Sequence, residues 1–199
     1  MAKAFFLLIC YHLLLFRKFY FLNPYVYARS EALEQGFASS WLLGQQLRRT
    51  GILSPTVDEP FYYPDHAALP FLSTYYWPHR LQAWMGSWLS LNQAWILYSL
   101  TMVLHFLLCS VSVYILATAM GSAPIVAGLM SVTLSTLGYA LKQNSCISYT
   151  LAWVPCLMLS ACTHSVAWFG ISLGMMLTAG YWPIALYAGG LGCCYLLLG

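Results

Sequence analysis

Apolar and polar positions divide this chain into two unequal parts. From Ala94 onward the apolar positions run with few breaks, and residues 81–199 carry Lys142 as their single Asp, Glu, Lys or Arg. A helix needs about 20 apolar residues to cross a bilayer, and the breaks fall close to that spacing. Ala94 to Met120 holds no Pro or Gly and is long enough to cross with tilt. Gly121-Ser122-Ala123-Pro124 predicts a turn. Ile125 to Leu141 is the next expected span, closed by Lys142-Gln143-Asn144. Ile147 to Thr163 follows, with a kink expected at Pro155. Residues 165–199 would extend about 52 Å as a single helix, too long for one crossing, so the pattern splits near Tyr181-Trp182-Pro183.

The N-terminal part reads differently. Ala4 to Phe16 is apolar and is followed by Arg17-Lys18 and then Phe19-Tyr20-Phe21-Leu22. With Arg17 and Lys18 snorkelling to the interface, Ala4 to Leu22 forms a first span. The rival reading is a signal peptide with Lys3 as its basic region. Bulky residues follow where a small-x-small cleavage site belongs, which favours a retained helix. Residues 23–93 are the polar segment. Pro55, Pro60, Pro64, Pro70 and Pro78 argue against a long helix in its second half. Ser30 to Arg49 has no Pro and predicts an amphipathic helix with Phe37, Trp41 and Leu42 on one face, stopped at Gly51. The Tyr62-Tyr63-Pro64 and Tyr75-Tyr76-Trp77-Pro78 clusters read as loop held at the headgroup level.

The expected fold is therefore all-α: a polytopic α-helical membrane protein with about six transmembrane helices and one long polar loop after the first. Residues 1–22 would be the first helix, 23–93 the loop, and 94–199 helices two to six. Composition agrees. Of the 199 residues, 61% are hydrophobic and 7% charged, against about 25% charged in a soluble domain. The formal charge of +3 is too small and too dispersed for a nucleic-acid surface. The seven cysteines form no zinc-spaced pair, and no cofactor motif appears. The sequence closes on Leu196-Leu197-Leu198-Gly199 without a polar tail, as the N-terminal piece of a longer protein would.

The acidic residues add the main chemical feature. All five (Glu31, Glu34, Asp58, Glu59 and Asp65) lie in the polar segment. A general base must be ionisable, fixed, and close to the hydroxyl it activates. A carboxylate on a loop lying against the bilayer meets those conditions without entering hydrocarbon. The competing explanation is that a polar loop needs charges for solubility. Arg29, Arg48, Arg49 and Arg80 offer forked donors for a phosphate, and the Arg48-Arg49 pair also suits lipid headgroups. His105 falls mid-span, where an ionisable group marks either function or a hydrogen bond to a neighbouring helix, and the latter is favoured. His66 and His79 are further acid/base candidates without a spacing argument. Ser131/Ser135, Gly170/Gly174 and Ala185/Gly189 are each four apart, which predicts close helix packing. The carboxylate spacing matches no recognised metal motif.

Several stretches carry a resemblance. Leu47-Arg48-Arg49-Thr50-Gly51 resembles a Leu-Arg-x-Gly step, Phe61-Tyr62-Tyr63-Pro64 an aromatic-Tyr-Pro segment, and Leu151-Ala152-Trp153-Val154-Pro155 a Leu-Ala-Trp-Leu-Pro helix. Together with the long first loop, they resemble the GT-C class of polyprenol-dependent membrane glycosyltransferases, and within it the YfhO-like bacterial membrane proteins. The chain departs from that pattern twice. Gly180-Tyr181-Trp182-Pro183 stands where the family often has Gly-His-Pro-Gln, and Glu31 or Glu34 stands where it places an Asp. The resemblance implies transfer of a sugar from a polyprenyl-phosphate donor to a cell-envelope acceptor. Glu31, Glu34 and Asp58 would be the catalytic candidates, with Arg29, Arg80, Tyr62 and Tyr63 binding substrate. It also implies a bacterial inner-membrane location with the loop outside, whereas Lys/Arg counting leans cytoplasmic. The partners implied are membrane lipids and a polyprenyl-phosphate-linked sugar. A flippase or transporter of lipid-linked substrate, and a truncated remnant or accessory subunit, are the alternatives.

Overall fold

The computed structural model describes residues 6, 7, 10, 11, 14, 37–54, 75–135 and 145–198. Among them all regular structure is helical. Beyond the helical residues 6, 7, 10, 11 and 14, the described residues form seven helices in order: α1 (Ala38–Thr50), α2 (Trp77–Gly86), α3 (Leu91–Ala119), α4 (Pro124–Ser135), α5 (Ser145–Cys162), α6 (Val166–Ala179) and α7 (Trp182–Leu198).

Among the described residues, helix α3 is the one long and apolar enough to cross a membrane, with 29 residues and a mean hydropathy of 2.1 over its most apolar 18-residue stretch. It begins three residues before the expected Ala94, for a local reason. The Ser90 hydroxyl accepts from the Gln93 N–H at 3.4 Å, and the Gln93 carboxamide oxygen accepts from the Ser90 N–H at 3.1 Å. This reciprocal capping box satisfies first-turn donors that a purely apolar start would leave open. At the far end Gly121, at φ 88°, turns the chain into α4, and Gly180, at φ 98°, separates α6 from α7. Both breaks fall where the pattern placed them, because a Gly accepts the left-handed backbone that other residues resist. Helices α4 to α7 are apolar but shorter. Pro155 lies inside α5, and the helix continues through it.

The polar segment corrects two expectations. The amphipathic helix is described from Ala38, and residues 30–36 lie outside the described set. Its fully buried stripe is Ser40, Leu43, Gly44 and Leu47, while Phe37, Trp41 and Leu42 are only half-buried. Close approach of α2 decides the face. A Cβ at Gly44 would collide with the Ala83 carbonyl, so small residues line the crossing and Leu43 and Leu47 flank it with Ala83 and Trp84. Gly51 does stop α1, its N–H returning to the Leu47 carbonyl at 2.9 Å. The second correction concerns Tyr75 to Pro78, expected as interfacial loop. Pro78 instead sits in the first turn of α2, where a missing N–H leaves no hydrogen bond unmade.

Helix α3 packs against α2, α4 and α5, and α5 packs against α6 and α7. Tyr114, Ala117 and Ala127 fill the α3–α4 contact. Leu157, Ala161, Phe169, Met176, Ala185 and Ala188 form the core among α5, α6 and α7. The small-residue faces divide. Ser131 and Ala185 are fully buried, and a Cβ at Gly189 would stand 3.0 Å from Leu173. Gly170 and Gly174 face open space, because α6 packs through Phe169, Ser172, Met176 and Ala179 on its other side.

Candidate functional site

Three helices and a loop end meet at Tyr76. This residue occupies the N-cap position of α2, with an extended backbone, and its side chain is fully buried. Its hydroxyl lies 2.5 Å from His105 Nε2 on α3, and Trp153 Nε1 on α5 donates to the same oxygen at 2.7 Å. His105 Nδ1 is 2.6 Å from the Thr101 carbonyl, one turn earlier on α3. Tyr149 closes the group, its ring centroid 4.5 Å from that of His105 and 5.2 Å from that of Tyr76.

The order of protons in this chain follows from what each end can do. An indole nitrogen only donates, and a carbonyl only accepts. Trp153 N–H therefore donates to the Tyr76 oxygen, the Tyr76 O–H donates to His105 Nε2, and His105 Nδ1–H donates to Thr101. That order requires the neutral Nδ1–H tautomer of His105. Burial also pushes the Tyr76 phenol up from its ordinary value, which keeps the donating proton in place. Because the chain terminates on a backbone carbonyl, it cannot hand a proton onward. It works as a brace that fixes the end of the polar segment against α3 and α5. This geometry matches the expectation that His105 bonds to a neighbouring helix.

One turn further along α2, Arg80 points back toward the end of α1. Its Nη2 donates to the Ile52 carbonyl at 3.0 Å and to the Ser54 carbonyl at 2.6 Å. The side chain is 5% exposed, and burial lowers the guanidinium's affinity for its proton. Of the catalytic and substrate-binding residues that the resemblance implies, Arg80 is the one among the described residues. Glu31, Glu34, Asp58, Arg29, Tyr62 and Tyr63 lie outside the described residues, as does His66. His79 is buried beside Tyr149, with ring centroids 5.8 Å apart.

Beside the brace, an apolar cleft of about 470 Å³ runs between α3, α5 and α6. Leu108 and Ile115 line it from α3, Trp153 and Cys156 from α5, and Trp168 and Ser172 from α6. Trp153 thus takes part in both features: its ring lines the cleft while its N–H holds Tyr76. Ser112 and Cys156 are joined at 2.9 Å by a side-chain hydrogen bond between α3 and α5. Volume and lining suit an apolar chain rather than a polar solute.

Reading the sequence alone missed Tyr76, Tyr149 and Trp153 as a unit. One signal was available. A histidine mid-way along an apolar helix must find a polar partner, and the tyrosine-rich clusters offered hydroxyls that could supply it. No family model, curated protein or solved structure matches this chain.

Proposed function

We propose that this chain is a multi-pass membrane protein that acts as a GT-C-like glycosyltransferase, moving a sugar from a polyprenyl-phosphate donor to a cell-envelope acceptor. The observation that carries the reading is the apolar cleft between α3, α5 and α6, joined through Trp153 to Tyr76. Tyr76 lies in the polar segment, residues 23–93, that bears every acidic side chain of the chain. A donor of this class has an apolar tail and a charged, sugar-bearing head, and so needs an apolar groove next to a polar, acid-bearing surface. Helix α3 and the shorter apolar helices packed on it supply the membrane-embedded part.

In this reading Glu31 or Glu34 removes the proton from the acceptor hydroxyl, with Asp58 as the further carboxylate candidate. The oxygen then attacks the anomeric carbon, the bond from that carbon to the phosphate oxygen breaks, and polyprenyl phosphate leaves. Arg29 holds the phosphate, and Tyr62 and Tyr63 pack on the sugar. Arg80 has a different share. Its burial and its two carbonyl partners suit it to shaping the loop end rather than meeting the donor directly. An ion-coupled carrier is less well supported, because both ring nitrogens of His105 are engaged within the brace.

The test is lipid-linked sugar transfer by the full chain in lipid, with Glu31→Gln and Glu34→Gln assayed separately. Loss of a general base lowers turnover by about 10²-fold or more, so one of the two is expected to show that loss. Unchanged turnover in both sinks the assignment.

A further inference from the structure

The start of α3 sets a level in the bilayer. A 29-residue helix is about 43 Å long, against about 30 Å of hydrocarbon. Its capped first turn, with Ser90, Asn92 and Gln93 exposed, therefore stands in the headgroup zone. Two residues before the cap, Trp88 is 59% exposed. Arg48, from the last turn of α1, lies over that indole with its guanidinium carbon 4.2 Å from the ring centre. Its Nη1 donates to the Ser87 carbonyl at 3.2 Å. Arg49 follows and is exposed as well.

Among the described residues the charge here is positive. No Asp or Glu falls among the described residues, so nothing described near the pair neutralises it. Favourable placement at the C-terminal end of α1 accounts for two cations in that turn. It does not account for one of them being fixed across to a different helix, on an exposed tryptophan, at the mouth of the spanning helix. A tryptophan seats itself at the membrane interface, and an arginine fork held beside it matches the oxygens of a phosphate. We infer that Arg48, Arg49 and Trp88 form a docking site for the phosphate of an anionic phospholipid in the leaflet at the start of α3. Arg48 and Trp88 fix the headgroup's position, and Arg49 adds charge. The inference rests on the membrane part of the proposed function and is independent of the transfer chemistry.

The test uses the full chain, purified in detergent, with retention of phosphatidylglycerol compared with phosphatidylcholine of the same acyl chains by native mass spectrometry. Two arginines at an anionic surface correspond to a preference of about thirtyfold for phosphatidylglycerol. Arg48→Gln with Arg49→Gln should reduce that preference to near unity while the helical circular dichroism stays intact. Arg48→Lys keeps the charge but loses the planar guanidinium fork over the ring, and is expected to reduce the preference by about fivefold. Equal retention of the two lipids by the wild type would overturn the proposal. So would a preference that survives the double substitution, or stronger retention of a polyprenyl phosphate than of phosphatidylglycerol. Failure of the transfer assay with the Glu31 and Glu34 variants leaves this readout untouched, so the two proposals fail separately.

Discussion

Two regions of this molecule hold helices together by opposite means. Around Tyr76, α2, α3 and α5 are joined by a directed chain of hydrogen bonds running from Trp153 through Tyr76 and His105 to Thr101. Among α5, α6 and α7 the contact is apolar, with Leu157, Phe169 and Met176 packed where Gly192 and Ala185 leave room. The second region tolerates small shifts, because dispersion contacts have no fixed direction. The first is all or nothing. Every member is satisfied, and deleting one leaves buried groups with unmet hydrogen bonds. A helix bundle built only in the second way would hold the loop end loosely. The brace gives that end one position.

The largest break in this comparison is His105→Ala. It removes an acceptor from the buried Tyr76 hydroxyl, a donor from Thr101, and the ring that packs against Tyr149. Lost hydrogen bonds and a residual cavity together are expected to destabilise the fold by about 4 kcal/mol. Reversible unfolding in mixed detergent micelles measures this directly. A loss below about 1 kcal/mol would mean that the hydrogen-bonded chain contributes no more than ordinary packing.

How much of this was legible beforehand differs between the same two regions. The apolar helices announced themselves, and Gly51, Gly121 and Gly180 marked breaks because each needs a backbone that only glycine adopts freely. His105 was visible as a buried polar residue in need of a partner. Its partner was not, because Tyr76 lies 29 positions away in sequence, in an aromatic cluster that reads equally well as an interfacial anchor. Pro78 reinforced that error. Periodicity cannot distinguish a proline that ends a helix from one that begins it. The face of α1 was misjudged for a related reason: Gly44 carries no hydrophobic signal, yet its missing side chain is what lets α2 approach. The candidate carboxylates were identified from sequence grouping alone, and that grouping says nothing about their geometry.

A smaller break sharpens the contrast between contact and open space. Gly44→Ala places a methyl against the backbone of Ala83, which cannot rotate away, and overpacking of this kind costs about 2 to 3 kcal/mol. Gly174→Ala on α6 meets nothing within 4 Å. Removing a helix-interior glycine there should stabilise by up to about 1 kcal/mol. The two substitutions are chemically identical and should differ in sign. Matching unfolding midpoints for both would contradict the close α1–α2 crossing.

The finest comparison concerns hydrogen bonds of the two kinds within a single helix. Helix α3 carries His105 in the brace, and one and a half turns later Ser110 faces α4. There the Ser110 and Ser131 hydroxyls lie 2.7 Å apart, and Ser131 also donates to the Ser110 carbonyl at 2.6 Å. Each hydroxyl can turn back to its own helix if the other is removed, so neither is stranded as Tyr76 would be. A double-mutant cycle of Ser110→Ala and Ser131→Ala is therefore expected to give a coupling of about 0.6 kcal/mol, typical of a side-chain pair between apolar helices. The same cycle on Tyr76→Phe and His105→Ala should give a clearly larger value, because neither partner has a local substitute. Equal couplings would erase the distinction between a brace that sets position and a contact that only adds adhesion.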